Sequence, residues 1–185
     1  MLTVPMKKQC LSDDRGSVAV EFAIISLTAV ITIVFILTAS MVLYLNQTLD
    51  NATAQVSRQI MTGSAQAASI NSSAFRVDLC KLLPRTIDCS LLVINLYVVP
   101  KSAGPSGFYN FVNADLSGLS LPDLSNGGTG QFTLGARGEY QYLQVIYPIT
   151  FPPALILKWL SGGATYKGAP AFLAISTAAF RNELF

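Results

Sequence analysis

The chain has 185 residues, of which 51% are apolar, with 12 basic and 10 acidic side chains and no histidine. That length allows one modest domain plus an appendage, and a net charge of +2 lacks the basic footprint of a nucleic-acid binder. The missing histidine removes His-dependent triads and the commonest transition-metal ligand.

Read from the N-terminus, the first landmark is Arg15-Gly16-Ser17-Val18-Ala19-Val20-Glu21-Phe22, followed by an uncharged apolar run over 22–45. As a helix that run is about 36 Å long, enough to cross a hydrocarbon core of about 30 Å with some tilt. Lys7, Lys8 and Arg15 precede it, and the first basic residue after it is Arg58. The positive-inside rule places 1–16 in the cytoplasm and the bulk of the chain across the membrane.

Three readings of this segment compete. A secretory signal peptide cut near Ala39-Ser40 needs a shorter apolar core and no acid near its start. An uncut signal anchor leaves Glu21 merely near the headgroups. A prepilin-type signal, cut between Gly16 and Ser17, keeps the span in the mature protein. Only the third gives Glu21 a purpose. A lone carboxylate at the mouth of a span is costly. Cleavage creates an α-amino group on Ser17 that can pair with Glu21 of the same or a neighbouring subunit, so the acid sets register between packed helices. Ala23, Ser26, Thr28, Ala29, Thr32, Thr38, Ala39 and Ser40 suit close helix approach in lipid.

Beyond the span, Leu45, Leu49, Ala52, Val56 and Ile60 recur at steps of three and four, the face of a continuing helix. Gly63 is its expected stop. A single helix over 17–62 would be about 69 Å long. The small polar stretch 64–74 reads as a linker, and a short helix is expected over 73–83, ended by Pro84.

Residues 91–99 read as a central strand. Residues 100–130 form a long irregular excursion punctuated by Pro105, Gly107, Gly118 and Pro122, with Phe108, Tyr109 and Phe111 expected to tuck over the sheet. Gly127-Gly128-Thr129-Gly130 lacks the Lys-Ser/Thr of a phosphate loop, and no Gly-x-Ser-x-Gly elbow occurs. A short strand over 131–134 is expected to pair with a longer one over 139–150 through Gly135–Gly138. An apolar helix over 154–160, carrying Lys158 and Trp159, and a last strand over 171–180 follow. The pieces sum to an α+β fold, a long N-terminal helix with a small antiparallel sheet and one or two short helices. The domain organisation is a leader over 1–16, a span over 17–45, an amphipathic continuation over 46–63 and a periplasmic domain over 64–185.

In a periplasmic setting Cys80 and Cys89 are expected to form a disulfide, with Cys10 left in the leader. Two cysteines without histidine do not make a zinc site. No catalytic residue, metal, cofactor or small-molecule substrate is assigned.

The opening Asp14-Arg-Gly-Ser-Val-Ala-Val-Glu-Phe-Ala23 resembles the start of TadE-like proteins, pseudopilins of the Tad (tight adherence, or Flp) pilus system. Met61-Thr-Gly-Ser-Ala-Gln66 resembles the Thr-Gly-Gln stretch that often ends the first helix of that group. Cys80 and Cys89 resemble its cysteine pair. Ala179-Phe-Arg-Asn-Glu-Leu-Phe185 resembles its Phe-Arg-Asn-Glu-Pro-Phe ending, with Leu184 where proline is usual. The resemblance implies cleavage by a prepilin peptidase between Gly16 and Ser17. It further implies a minor-pilin role in a thin adhesive filament, with related pseudopilins, the major pilin and inner-membrane lipid as partners. The alternative is a membrane-anchored periplasmic scaffold or binding protein that never polymerises.

Overall fold

The structure is a computed structural model that describes residues 15–100, 108–116, 118–127, 130–150, 152, 156–158 and 161–184, with backbone alone at 15–17 and 108. The leader with Cys10, the Gly128-Thr129 pair and Trp159 lie outside the described residues. The chain divides into two compact units, the first ending at Met41 and the second running Val42–Phe185. One helix, α1 (Arg15–Met61), contributes to both.

In the first unit α1 is bare. Phe22, Ile25 and Leu37 are 72%, 68% and 64% exposed. The most apolar 18-residue window of the helix has a mean hydropathy of 2.6, and none of it is buried. By length and composition this helix can cross a membrane. Its hydroxyls do not spoil that property. Thr28, Thr32 and Thr38 donate to the carbonyls of Ile24, Thr28 and Val34 at 2.9, 2.8 and 2.8 Å. A hydroxyl bonded back to its own helix carries no unmet demand into an apolar solvent.

In the second unit α1 turns amphipathic. Val42, Leu45, Leu49, Ala52, Val56 and Ile60 are buried, while Gln47, Asp50, Asn51 and Arg58 face out. The expected stripe is therefore the stripe that packs. Gly63 ends the helix at φ 80°, the left-handed conformation that glycine adopts without a Cβ penalty. Residues 64–74 are not a loose linker. They contain a turn of helix, α2 (Ser64–Ala67), whose Ala65 is fully buried, and the start of α3 (Ser72–Leu82). Small residues there are packing choices, not signs of slack. Asn71 caps α3 by accepting the Ala74 N–H at 2.9 Å, and Phe75 and Leu79 seal its inner face.

Cys80 on α3 is bonded to Cys89, which opens a 3-10 turn (Cys89–Leu91) ahead of the first strand. The Cα atoms are 6.1 Å apart across nine positions of sequence. Closing so short a loop stabilises by about 2–3 kcal/mol in the chain-entropy model. Replacing both cysteines by serine is expected to lower the melting temperature of the full chain by about 8–10 °C, measured by calorimetry in detergent. Reduction of the unaltered protein should give the same drop, and an unchanged melting temperature in both cases would remove the staple from the account.

Three strands form one antiparallel sheet in the order β1 (Val93–Val99), β2 (Tyr140–Ile149), β5 (Phe172–Arg181). β2 is central. It pairs Asn95 with Gln144 on one side and Gln144 with Thr177 on the other. β1 is thus not the middle strand, although it is apolar on both faces. Its outer edge is covered by residues 131–133: the Leu96 N–H donates to the Gln131 carbonyl at 2.6 Å and the Thr133 N–H to the Leu96 carbonyl at 3.0 Å. Phe132 bridges Leu96 in parallel, so this segment does not form the expected hairpin with β2. Gly130 permits the approach, because a side chain there would collide with the Ile94 carbonyl. Pro148 sits in β2 without cost. Its ring nitrogen faces the β1 side beyond the last pair, Val93 with Ile146, where no ladder bond is lost.

One sheet face packs on the helices through Ile94, Leu96, Leu143, Val145, Ile149 and Ala174. The other is covered by Leu124 and by Tyr166 of a small hairpin, β3 (Thr165–Tyr166) with β4 (Ala169–Pro170). That hairpin was not expected. Its turn residues Lys167 and Gly168 have φ 50° and 75°, the paired positive values of a type I′ turn. Phe111 tucks in as expected, stacked on Tyr142 at 4.5 Å and tilted against Tyr97 at 5.0 Å, whereas Tyr109 is 63% exposed. Burial pushes the Tyr97 and Tyr142 phenols above their ordinary range. Of the expected helix over 154–160, residues 156–158 are helical, with Leu157 buried.

Candidate functional site

Gly16 and Ser17 lie in the first turn of α1. Glu21 follows one turn after Ser17 and is exposed. Residues four apart share a helix face, and Cα–Cβ bonds tilt toward the helix N-terminus, so the carboxylate leans toward the Ser17 end. Among the described residues none forms an ion pair with Glu21; Lys81 and Asp78 pair at 2.8 Å on an exposed part of α3. Apolar side chains surround the acid: Val18, Val20, Phe22 and Ile25 are each more exposed than half. A carboxylate set in such a surface is stable in water and penalised in lipid unless a cation meets it. Among the described residues no group of three or more His, Cys, Asp or Glu side chains could hold a metal ion.

A second constellation lies wholly within the unit from Val42 onward. Residue pattern alone missed it. The Glu183 N–H donates to the Met61 carbonyl at 2.8 Å, supplying a partner to the last turn of α1. Asn182, only 2% exposed, donates through Nδ2 to the carbonyls of Gly135 and Ala136 at 3.0 and 2.9 Å. Its N–H donates to the Glu139 carbonyl at 2.9 Å. Gln66 reaches the same Gly135 carbonyl through Nε2 at 3.2 Å. A Cβ at Gly135 would force the Gln141 amide to shift. The stretches 61–66 and 179–184, far apart in sequence, therefore meet around one carbonyl. Leu184 stands 82% exposed beyond this clasp and takes part in none of the hydrogen bonds just described. Residue type does not mark the clasp, because its shared acceptor is the Gly135 main-chain carbonyl.

Cys80 and Cys89 are joined between α3 and the 3-10 turn ahead of β1. The structure brings Gly16, Ser17 and Glu21 into one turn and a half of helix and leaves the disulfide as a separate feature of the folded unit.

Residues 16–58 match the family model described as TadE-like protein. The matched segment takes in Glu21, the bare apolar helix and the buried stripe to Val56, and ends before the clasp residues. No curated protein and no solved structure matches the chain.

Proposed function

We propose that this chain, TadE-like over residues 16–58, is a minor pilin-type subunit of a Tad (Flp) pilus system. The leader is cut between Gly16 and Ser17 by a prepilin peptidase. The apolar half of α1 holds the subunit in the inner membrane, with its N-terminus cytoplasmic and the α+β unit periplasmic. The subunit then packs through that helix against related pseudopilins and the major pilin. It performs no chemistry of its own beyond being cut, oxidised and packed.

The observation that carries this reading is the contrast along α1. None of its apolar window is buried, and the single acid of that region sits one turn after the proposed cut. A surface so apolar requires lipid or other helices. The acid makes the choice between partners electrostatic, because only a processed chain carries an amine at Ser17. The Lys7, Lys8 and Arg15 charges ahead of the span support the stated orientation.

The intact mass of the protein recovered from its native host membrane, taken without reducing agent, tests the proposal. A chain starting at Ser17, lighter than its reduced form by one pair of hydrogens, is the expected result. A chain that keeps Met1 overturns the processing step and with it the filament role.

A further inference from the structure

We infer that β5 is a docking edge, and that its occupant is β5 of a second copy of this chain, paired antiparallel about Thr177. The inference concerns the folded unit alone and stands whether or not the leader is cut.

The two outer edges of the sheet are treated differently. That of β1 is closed by residues 131–133, as described above. That of β5 is open: β2 is the one strand paired with it among the described residues. Exposed edges are normally guarded by charge, proline or a bulge. Residues 172–180, Phe-Leu-Ala-Ile-Ser-Thr-Ala-Ala-Phe, contain neither charge nor proline, and their register with β2 runs unbroken. Arg181 does not act as a guard. Its Nε donates to the Gly138 carbonyl at 3.1 Å and its guanidinium lies 5.7 Å from the Tyr140 ring centre, so the charge is turned inward over β2.

The phase of the ladder fixes which backbone groups are free. The Asn182 N–H bonds to the Glu139 carbonyl, so the even-numbered residues of β5 face β2. Leu173, Ile175, Thr177, Ala179 and Arg181 direct their N–H and C=O groups outward. That set is symmetric about Thr177. Two copies related by a twofold axis would pair Thr177 with Thr177, Ile175 with Ala179 and Leu173 with Arg181. An isologous contact requires this self-complementarity. Thr177 meets its own hydroxyl and Ile175 meets the small Ala179, while the cation of Arg181 meets the apolar Leu173 instead of its own copy. Thr177 and Ala179 are exposed, so the centre of the edge is accessible. Strand addition of this kind draws its affinity from main-chain hydrogen bonds and its register from the side-chain pairs.

The test uses the full chain in its native membrane, with Cys10→Ser to silence the remaining thiol. Facing residues in a hydrogen-bonded antiparallel pair lie about 5.5 Å apart, within the roughly 4.4–6.8 Å that a disulfide spans. Thr177→Cys should therefore give a cross-linked homodimer under mild oxidation. Ile175→Cys and Ala179→Cys should cross-link when co-expressed and fail to do so singly. Ala179→Pro, added to Thr177→Cys, removes an outward N–H and leaves the β2 ladder intact. It should abolish the cross-link without changing the melting temperature. Thr177→Lys opposes two like charges, and in an Ile175→Cys/Ala179→Cys co-expression it should have the same effect should the proline variant fold poorly. Cross-linking of Thr177→Cys no greater than that of Leu184→Cys overturns the inference. So does a Thr177→Cys cross-link to a different protein, one that survives Ala179→Pro, or an Ile175→Cys/Ala179→Cys cross-link that survives Thr177→Lys.

Discussion

Glu21→Ala leaves the cut at Gly16–Ser17 intact and removes the subunit from assembled filaments: this is the expected result with the largest functional effect. The peptidase meets a bond one turn before Glu21, in a leader region whose residues the substitution does not touch. Packing is another matter. In the proposed assembly the Ser17 amine enters an apolar environment, and deleting its counter-ion leaves it unpaired. Breaking a desolvated ion pair from one side costs about 3–5 kcal/mol, roughly a 100- to 3,000-fold loss of incorporation at equilibrium. The measurement is the ratio of this subunit in sheared filaments to that in membranes, with N-terminal sequencing of both pools. Glu21→Gln separates charge from shape, because it keeps the volume and hydrogen-bonding capacity and loses the charge. If the alanine form enters filaments at the normal ratio, Glu21 has no role in packing; if only the glutamine form does, the contact is steric and not ionic.

The largest loss of stability is expected from Phe75→Ala. Phe75 is fully buried on α3, its ring 5.2 Å from that of Phe132 and tilted by 51°. It joins three parts of the unit: α3, the core built on the buried stripe of α1, and the segment that covers the β1 edge. Truncating a buried phenylalanine costs about 3–5 kcal/mol, the upper values arising where neighbours cannot close the gap. The disulfide holds α3 to the start of β1, so collapse around the site is restricted and a value near the upper end is expected. That corresponds to a fall in melting temperature of about 15 °C. Thermal unfolding of the full chain in detergent gives the figure. A fall of no more than a few degrees would mean that α3 repacks freely and that the cluster is not the keystone of the unit.

How much of this architecture was legible depends on how local its cause is. The stripe Leu45, Leu49, Ala52, Val56 and Ile60 was legible because helical period is a property of neighbouring residues, and all five are buried. So were the stop at Gly63, the α+β class and the strands β2 and β5, each displaced by one residue at its ends. The order of the strands was not. β1 and β2 are both buried on two faces, and nothing in either composition says which will be flanked by two strands and which by one strand and a loop. Residues 131–134 are separated from β2 by only five residues, and proximity favours a hairpin; the edge of β1 offers the same backbone bonds and a fit for Gly130, and it wins. The β3–β4 hairpin was missed because its strands are only two residues long and Lys-Gly is a weaker type I′ cue than Asn-Gly. At the candidate site, Glu21 declared itself by being the lone acid beside an apolar run. Asn182 and Gln66 could not, since their partner is a main-chain carbonyl at Gly135, and a carbonyl leaves no mark on residue identity.

The bond from the Glu183 N–H to the Met61 carbonyl bears on the order in which the protein is made. α1 emerges from the ribosome early and can enter the bilayer at once, yet one acceptor of its last turn waits for a donor translated after β5. The central strand β2 likewise lacks a neighbour until then. The Cys80–Cys89 bridge needs only a short local loop and can close first. In the proposed topology the exported chain would arrive singly stapled, with the β5-facing edge of β2 unpaired until the last strand is complete.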